Sequence, residues 1–100
     1  MEWTVSDEDI FVRLDPGEEI HASLGSLADK IGFNAAAITS GIGRTCDNVY
    51  GFMNNDGIYI KRQLVNPSEL VSLSGNIART EEGNAFTHIH CCWSDDDNNV

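Results

Sequence analysis

Basic residues are scarce in this chain. Its 100 residues hold sixteen Asp and Glu against six Lys and Arg, a formal charge of −10 at pH 7. A balance of that sign repels a phosphate backbone at long range and argues against direct DNA binding. Of the six cations (Arg13, Lys30, Arg44, Lys61, Arg62 and Arg79) only Lys61 and Arg62 are adjacent, so no clustered basic footprint is present. Long apolar runs are missing too, and nothing approaches the roughly 18 consecutive apolar residues of a membrane span. Met1-Glu2-Trp3-Thr4 lacks the basic and apolar regions of a secretory signal. A cytoplasmic protein without a membrane partner is therefore expected. Cysteines number three, and Cys91 and Cys92 are neighbours on an expected strand, where adjacent side chains point to opposite faces. Reduced thiols are expected, not a disulfide framework.

With two prolines, no visible repeat and 41% hydrophobic residues, the composition is that of an ordinary globular protein. The length suits a single domain over residues 1–100. Ile10, Val12 and Leu14 alternate as in a strand. Asp15-Pro16-Gly17-Glu18 then reads as a helix start, with Asp15 as cap, Pro16 at the first helical position and an acid three residues after the cap. Ile20, Leu24, Leu27 and Ile31 form one apolar stripe, and Gly32 stands where a left-handed residue ends a helix.

A short small-residue strand is expected over 34–40, and Gly41-Ile42-Gly43 reads as a tight turn after it. Asn48 to Met53 and Ile58 to Leu64 read as antiparallel strands about an Asn54-Asn55-Asp56-Gly57 turn. Leu70 to Ala78 alternates, with Val71, Leu73, Gly75 and Ile77 on one side. A polar turn at Thr80 to Asn84 and a strand from Ala85 to Trp93 precede the acidic Asp95-Asp96-Asp97. The expected class is α+β: a mostly antiparallel sheet of about six strands with one main helix packed on it.

Four segments, in order and spacing, resemble the plants-and-prokaryotes conserved (PPC) domain. They are Leu14-Asp15-Pro16-Gly17-Glu18-Glu19, Ser40-Gly41-Ile42-Gly43, Glu69 to Ile77, and His88-Ile89-His90 with Ser94-Asp95 behind it. The resemblance implies a two-layer domain that assembles as a homotrimer. It also implies small stand-alone prokaryotic relatives of mostly unassigned function, often labelled DNA-binding. In plants the domain is joined to AT-hooks, and no Arg-Gly-Arg-Pro core occurs here. The family pattern continues with a Gly-Gly-His-Leu strand whose histidine sits beside the His-x-His pair in some metal-holding members. This chain stops at Val100, so it reads as C-terminally incomplete relative to that pattern.

On a strand, His88 and His90 share one face, in line with Phe86 and Cys92. Two imidazoles can converge on one ion, zinc being the expected cofactor, with Cys92 or a neighbouring subunit supplying a third ligand. The plainer reading makes them half-buried side chains hydrogen-bonded to backbone or to Ser74 and Asn76. Gly41, Gly43, Glu69 and Asn76 are the residues expected around a ligand pocket, with Glu69 a general base only if it faces the histidines. His21, at the border of the helix stripe, is assigned no role. Cys46 follows Arg44-Thr45 without an evident base partner. The leading function is an assembly domain that binds a protein or small-molecule partner. The alternatives are a zinc-dependent enzyme on a small carboxylate or keto acid, and the DNA-binding protein of the family label.

Overall fold

The computed structural model describes Met1–Val100 and contains eight strands and one helix. In chain order they are β1 (Glu2–Ser6), β2 (Asp9–Arg13), α1 (Ile20–Ile31), β3 (Ala36–Ile38), β4 (Gly43–Thr45), β5 (Asn48–Met53), β6 (Tyr59–Leu64), β7 (Ser68–Arg79) and β8 (Ala85–Ser94). β1–β2 and β5–β6 are two-stranded antiparallel ribbons, while β3, β4 and β8 are each hydrogen-bonded to β7. The expected α+β class is the one found. The chain forms two compact units, Met1–Ala37 with Gly75–His88, and Ile38–Ser74 with Ile89–Val100, and β7 and β8 contribute to both.

In the first unit, Ile10, Val12 and Leu14 are half-buried, as their alternation predicts. They lie on and just after β2, whose partner β1 pairs from Glu2↔Arg13 to Ser6↔Asp9. β1 was not expected from sequence, because all five of its residues are exposed and no burial period marks it. The helix begins at Ile20, later than the Asp15 reading. Asp15 to Glu18 instead forms a tight turn, with the Glu18 N–H donating to the Asp15 carbonyl (3.1 Å) and Gly17 at φ +89°. Proline followed by a positive-φ glycine suits the two central positions of a type II turn. The carboxylate three residues on still finds the expected donor, since Glu18 accepts the Asp15 N–H at 2.6 Å. The Met1 ammonium lies 2.9 Å from Asp15 and 2.8 Å from Glu18. Hydrogen bonding to that ammonium holds both carboxyls below their ordinary values.

The helix cap is Glu19, whose side chain accepts the Ala22 N–H. Leu27 and Ala28 are 2% and 0% exposed, and Ile20, Leu24 and Ile31 are half-buried, so the stripe faces inward. A side chain such as Leu27 contributes about 1.5–3 kcal/mol by leaving water. α1 stops where expected: Gly32 is left-handed at φ +91° and donates to the Ala28 carbonyl at 2.8 Å. Arg79 braces this end, donating to the carbonyls of Ala28 (3.1 Å) and Phe33 (3.0 Å) and pairing with Asp29. A cation there complements the negative end of the helix dipole.

In the second unit, β5 and β6 pair from Asn48↔Leu64 to Met53↔Tyr59, as the sequence predicts. β4 pairs antiparallel with β7 from Gly43↔Leu70 to Thr45↔Ser68. The expected tight turn at Gly41-Ile42-Gly43 is absent, since Gly43 opens β4. Gly41 has a packing reason to lack a side chain, because a Cβ there would lie 3.1 Å from the Cβ of buried Leu73.

Along β7, Leu73 and Ile77 are buried and Gly75 half-buried, but Val71 is 51% exposed and Leu70 only 5%. The period therefore slips by one residue between Leu70 and Leu73, where Val71 and Ser72 are both exposed. One extra residue in a strand has this effect.

Three five-residue turns share one chemistry: Asn54–Ile58, Thr80–Asn84 and Asp95–Asn99. In each, the first N–H donates to the last carbonyl (2.9 Å in all three), and the fourth N–H donates back to the first carbonyl (2.9–3.1 Å). The fourth residue has positive φ: Gly57 at 75°, Gly83 at 87° and Asn98 at 64°. The first side chain accepts backbone N–H groups, Asn54 from Asp56 and Ile58, Thr80 from Asn84, and Asp95 from Asp97 and Asn99. Within the acidic Asp95-Asp96-Asp97 it is the Asp95 carboxylate that closes the turn.

Candidate functional site

β8 alternates along its whole length. Phe86, His88, His90 and Cys92 are exposed, while Ala85, Thr87, Ile89, Cys91 and Trp93 are half-buried. Same-face neighbours on a strand stand about 6.6 Å apart along the chain, two rises of about 3.3 Å. Two imidazoles at that spacing can lean toward one ion about 2 Å from each nitrogen. A third residue in line cannot join them so easily, since Cys92 is four rises, about 13 Å, from His88 and its side chain is short. Consistent with that arithmetic, the structure gathers no group of three or more His, Cys, Asp or Glu able to hold a metal ion.

The other expected pocket residues lie on or beside β4 and β7. Gly41 packs on Leu73, and Gly43 pairs with Leu70 inside β4. Glu69 is exposed and lies 3.9 Å from Arg44, which also donates to the Asp96 carboxylate at 3.0 and 3.3 Å. The Glu69 carboxylate is thus placed as an ion-pair partner of Arg44. Asn76 is exposed on β7. Two shallow grooves lie in the first unit. One, about 220 Å³, is lined by Val5, Ile10, Ile31, Phe33, Asp7 and Glu8, and the other, about 240 Å³, by Glu2, Trp3, Thr4, Phe11 and Arg13. None of the expected pocket residues lines either.

All three cysteines are free thiols. Burial, reinforced by neighbouring Cys92, pushes the Cys91 thiol up, away from nucleophilic thiolate character. The His21 Nδ1 is 2.5 Å from the Thr87 hydroxyl, a contact that occupies the imidazole structurally.

Two features escaped the sequence reading, both in the second unit. Thr45 Oγ1, Asn48 Nδ2 and Trp93 Nε1 are buried without a hydrogen-bond partner. Nothing in a sequence marks such atoms, because the loss of water is tertiary. The second is an apolar exposed surface on β5–β6, where Val49, Met53 and Tyr59 are 62%, 63% and 59% exposed. Those residues are visible in the sequence, but which face is covered is not.

No helix is long and apolar enough to cross a membrane. No curated protein matches the sequence. Among solved structures, a metal-containing protein of Archaeoglobus fulgidus superimposes with a TM-score of 0.76 at 32% identity, over 85% of this chain and 60% of its own. A plant- and prokaryote-conserved (PPC) protein of Pyrococcus horikoshii superimposes with a TM-score of 0.82 at 25% identity, over 98% of this chain and 67% of its own. The chain thus spans about three fifths of the length of the first relative and two thirds of the second. Residues 4–100 match the model of the Plants and Prokaryotes Conserved domain, and the chain belongs to that family.

Proposed function

We propose that this chain is a self-assembling binding domain, a homotrimer, in which His88 and His90 contribute to a divalent-metal site with zinc as the preferred ion. The observation that carries the metal reading is the exposure of both imidazoles two residues apart on β8. Imidazole nitrogen suits zinc, and the Archaeoglobus fulgidus relative, described as metal-containing, supports the reading at 32% identity. The proposal of a trimer rests on what the resemblance to the PPC domain implies. Two imidazoles are fewer than the three protein ligands typical of a catalytic zinc, so the remaining positions fall to water or to a group outside this chain. That shortfall weighs against the zinc-dependent enzyme on a small carboxylate or keto acid. The charge of −10 weighs against direct DNA binding.

Native mass spectrometry on protein purified without chelator or affinity nickel tests both parts together. The expected result is a trimer carrying metal, and a His88→Ala/His90→Ala variant that has lost the metal. Unchanged metal content in that variant would overturn the site, and a strictly monomeric protein at micromolar concentration would overturn the assembly.

A further inference from the structure

The turn before α1 does more than bend the chain. Its two carboxylates, Asp15 and Glu18, converge on the Met1 α-ammonium at 2.9 and 2.8 Å, across fourteen and seventeen residues of chain. Glu18 is also fixed by the Asp15 N–H, which it accepts at 2.6 Å, and Arg13 lies 3.2 Å from both Asp15 and Glu2. A lone exposed ion pair contributes little. Here one ammonium donates to two carboxylates, and such charge-assisted hydrogen bonds are about twice as strong as neutral ones.

β1, which follows Met1 directly, has few other anchors. It pairs only with β2, and all five of its residues are exposed. An isolated two-stranded ribbon is marginal in water. Beyond the ladder, the strand has Glu2 beside Arg13, Lys30 over the Trp3 ring at 5.5 Å, and the Met1 ammonium at its end. The groove lined by Glu2, Trp3, Thr4, Phe11 and Arg13 exists only while β1 stays in place.

We infer that the Met1 ammonium is a charge-dependent latch that fastens β1 to the turn before α1, and that Nα-acylation releases it. Transfer from an acyl thioester forms an N–C bond, breaks the C–S bond, frees the thiol and releases a proton. A neutral amide with one N–H then replaces a cation with three, and Asp15 and Glu18 are left to repel each other. Deprotonation acts in the same sense. Hydrogen bonding to Glu18, then to Asp15, raises the ammonium above its ordinary value of 8.0, and the ammonium holds Asp15 and Glu18 below their ordinary 3.8 and 4.5. The latch is therefore fully closed between the ordinary carboxyl and ammonium values. It opens as the pH falls through the depressed carboxyl values or rises through the raised ammonium one.

The test compares full-length chains with a free and an acetylated Met1 amine, both assembled by ligating a synthetic first segment at Cys46, with circular dichroism to verify folding. In the acetylated chain, NMR titration should place the Asp15 and Glu18 carboxyls at higher pH. Amide exchange across β1 at neutral pH should be about fivefold faster, with the α1 amides unchanged. Glu18→Gln in the free-amine chain, whose amide oxygen can still accept the Asp15 N–H, should accelerate β1 exchange without acylation, and no acceleration there counts against the latch. Identical carboxyl titration in the two chains overturns the inference. Shifted titration with unchanged β1 exchange overturns it too, because the ammonium is then held without fastening the strand. Equal acceleration in α1 would mark a general loss of stability and overturn the latch as well.

Discussion

Strand β8 and the ribbon β5–β6 treat solvent differently. β8 turns Thr87, Ile89 and Cys91 toward cover and leaves Phe86, His88, His90 and Cys92 outside. β5–β6 places large apolar residues on both faces. On β8 the identity of the exposed polar side chains is informative: two imidazoles, two residues apart on one strand face. On the ribbon the exposure itself is informative, because an isolated two-stranded hairpin is at best marginal in water. One face is thus read through ligand chemistry and the other through the apolar area it leaves open.

The largest effect is expected on the covered face of the sheet. Leu73→Ala, at a residue 7% exposed, should lower unfolding free energy by about 2–5 kcal/mol in urea titration. A loss near zero would mean that β7 is not core and that the contrast with the ribbon is misplaced. On the open face of the ribbon, Met53→Ser should leave the stability of the monomer within about 0.5 kcal/mol, as for surface sites generally. Denaturation below the assembly concentration checks this, and a large loss would show that the face is covered within one chain.

The smallest effect lies at the Asp95 turn. The backbone N–H of Asn99, and then its side chain, hold the Asp95 carboxyl below its ordinary value of 3.8. The turn therefore contributes stability above that ordinary value and loses it as the pH falls through the depressed one. Amide exchange at Asn99 should accelerate over that acidic range, and Asp95→Asn should remove the dependence. An unchanged exchange profile would mean the carboxylate is not what closes the turn.

Much of the fold was legible because local chemistry decides it. The helix stripe and Gly32, the Asn54 turn and the two-residue period of β8 each follow from side chains a few positions apart. Elements that depend on distant partners were not legible. β1 has no burial period, β4 exists because β7 lies beside it, and the covered role of Val71 passes to Leu70 through the slip in β7. Asp15 to Glu18 carries helix-start chemistry spent on a turn instead. For the site, periodicity tells which side chains share a face but not which converge. It placed His88 and His90 on one face with Cys92 in line, whereas the structure holds no group of three or more His, Cys, Asp or Glu able to bind a metal ion.

Arg79 bears on the order in which the first unit becomes structured. Its guanidinium reaches the Ala28 carbonyl across 51 residues of chain, whereas the Gly32 cap on the same carbonyl is local. Helical turns form within about a microsecond, but a contact of such separation waits for a long loop to close. Until β7 arrives, the last turn of α1 has only glycine and water to satisfy its carbonyls. The helix thus begins as an independent element and is finished by the sheet.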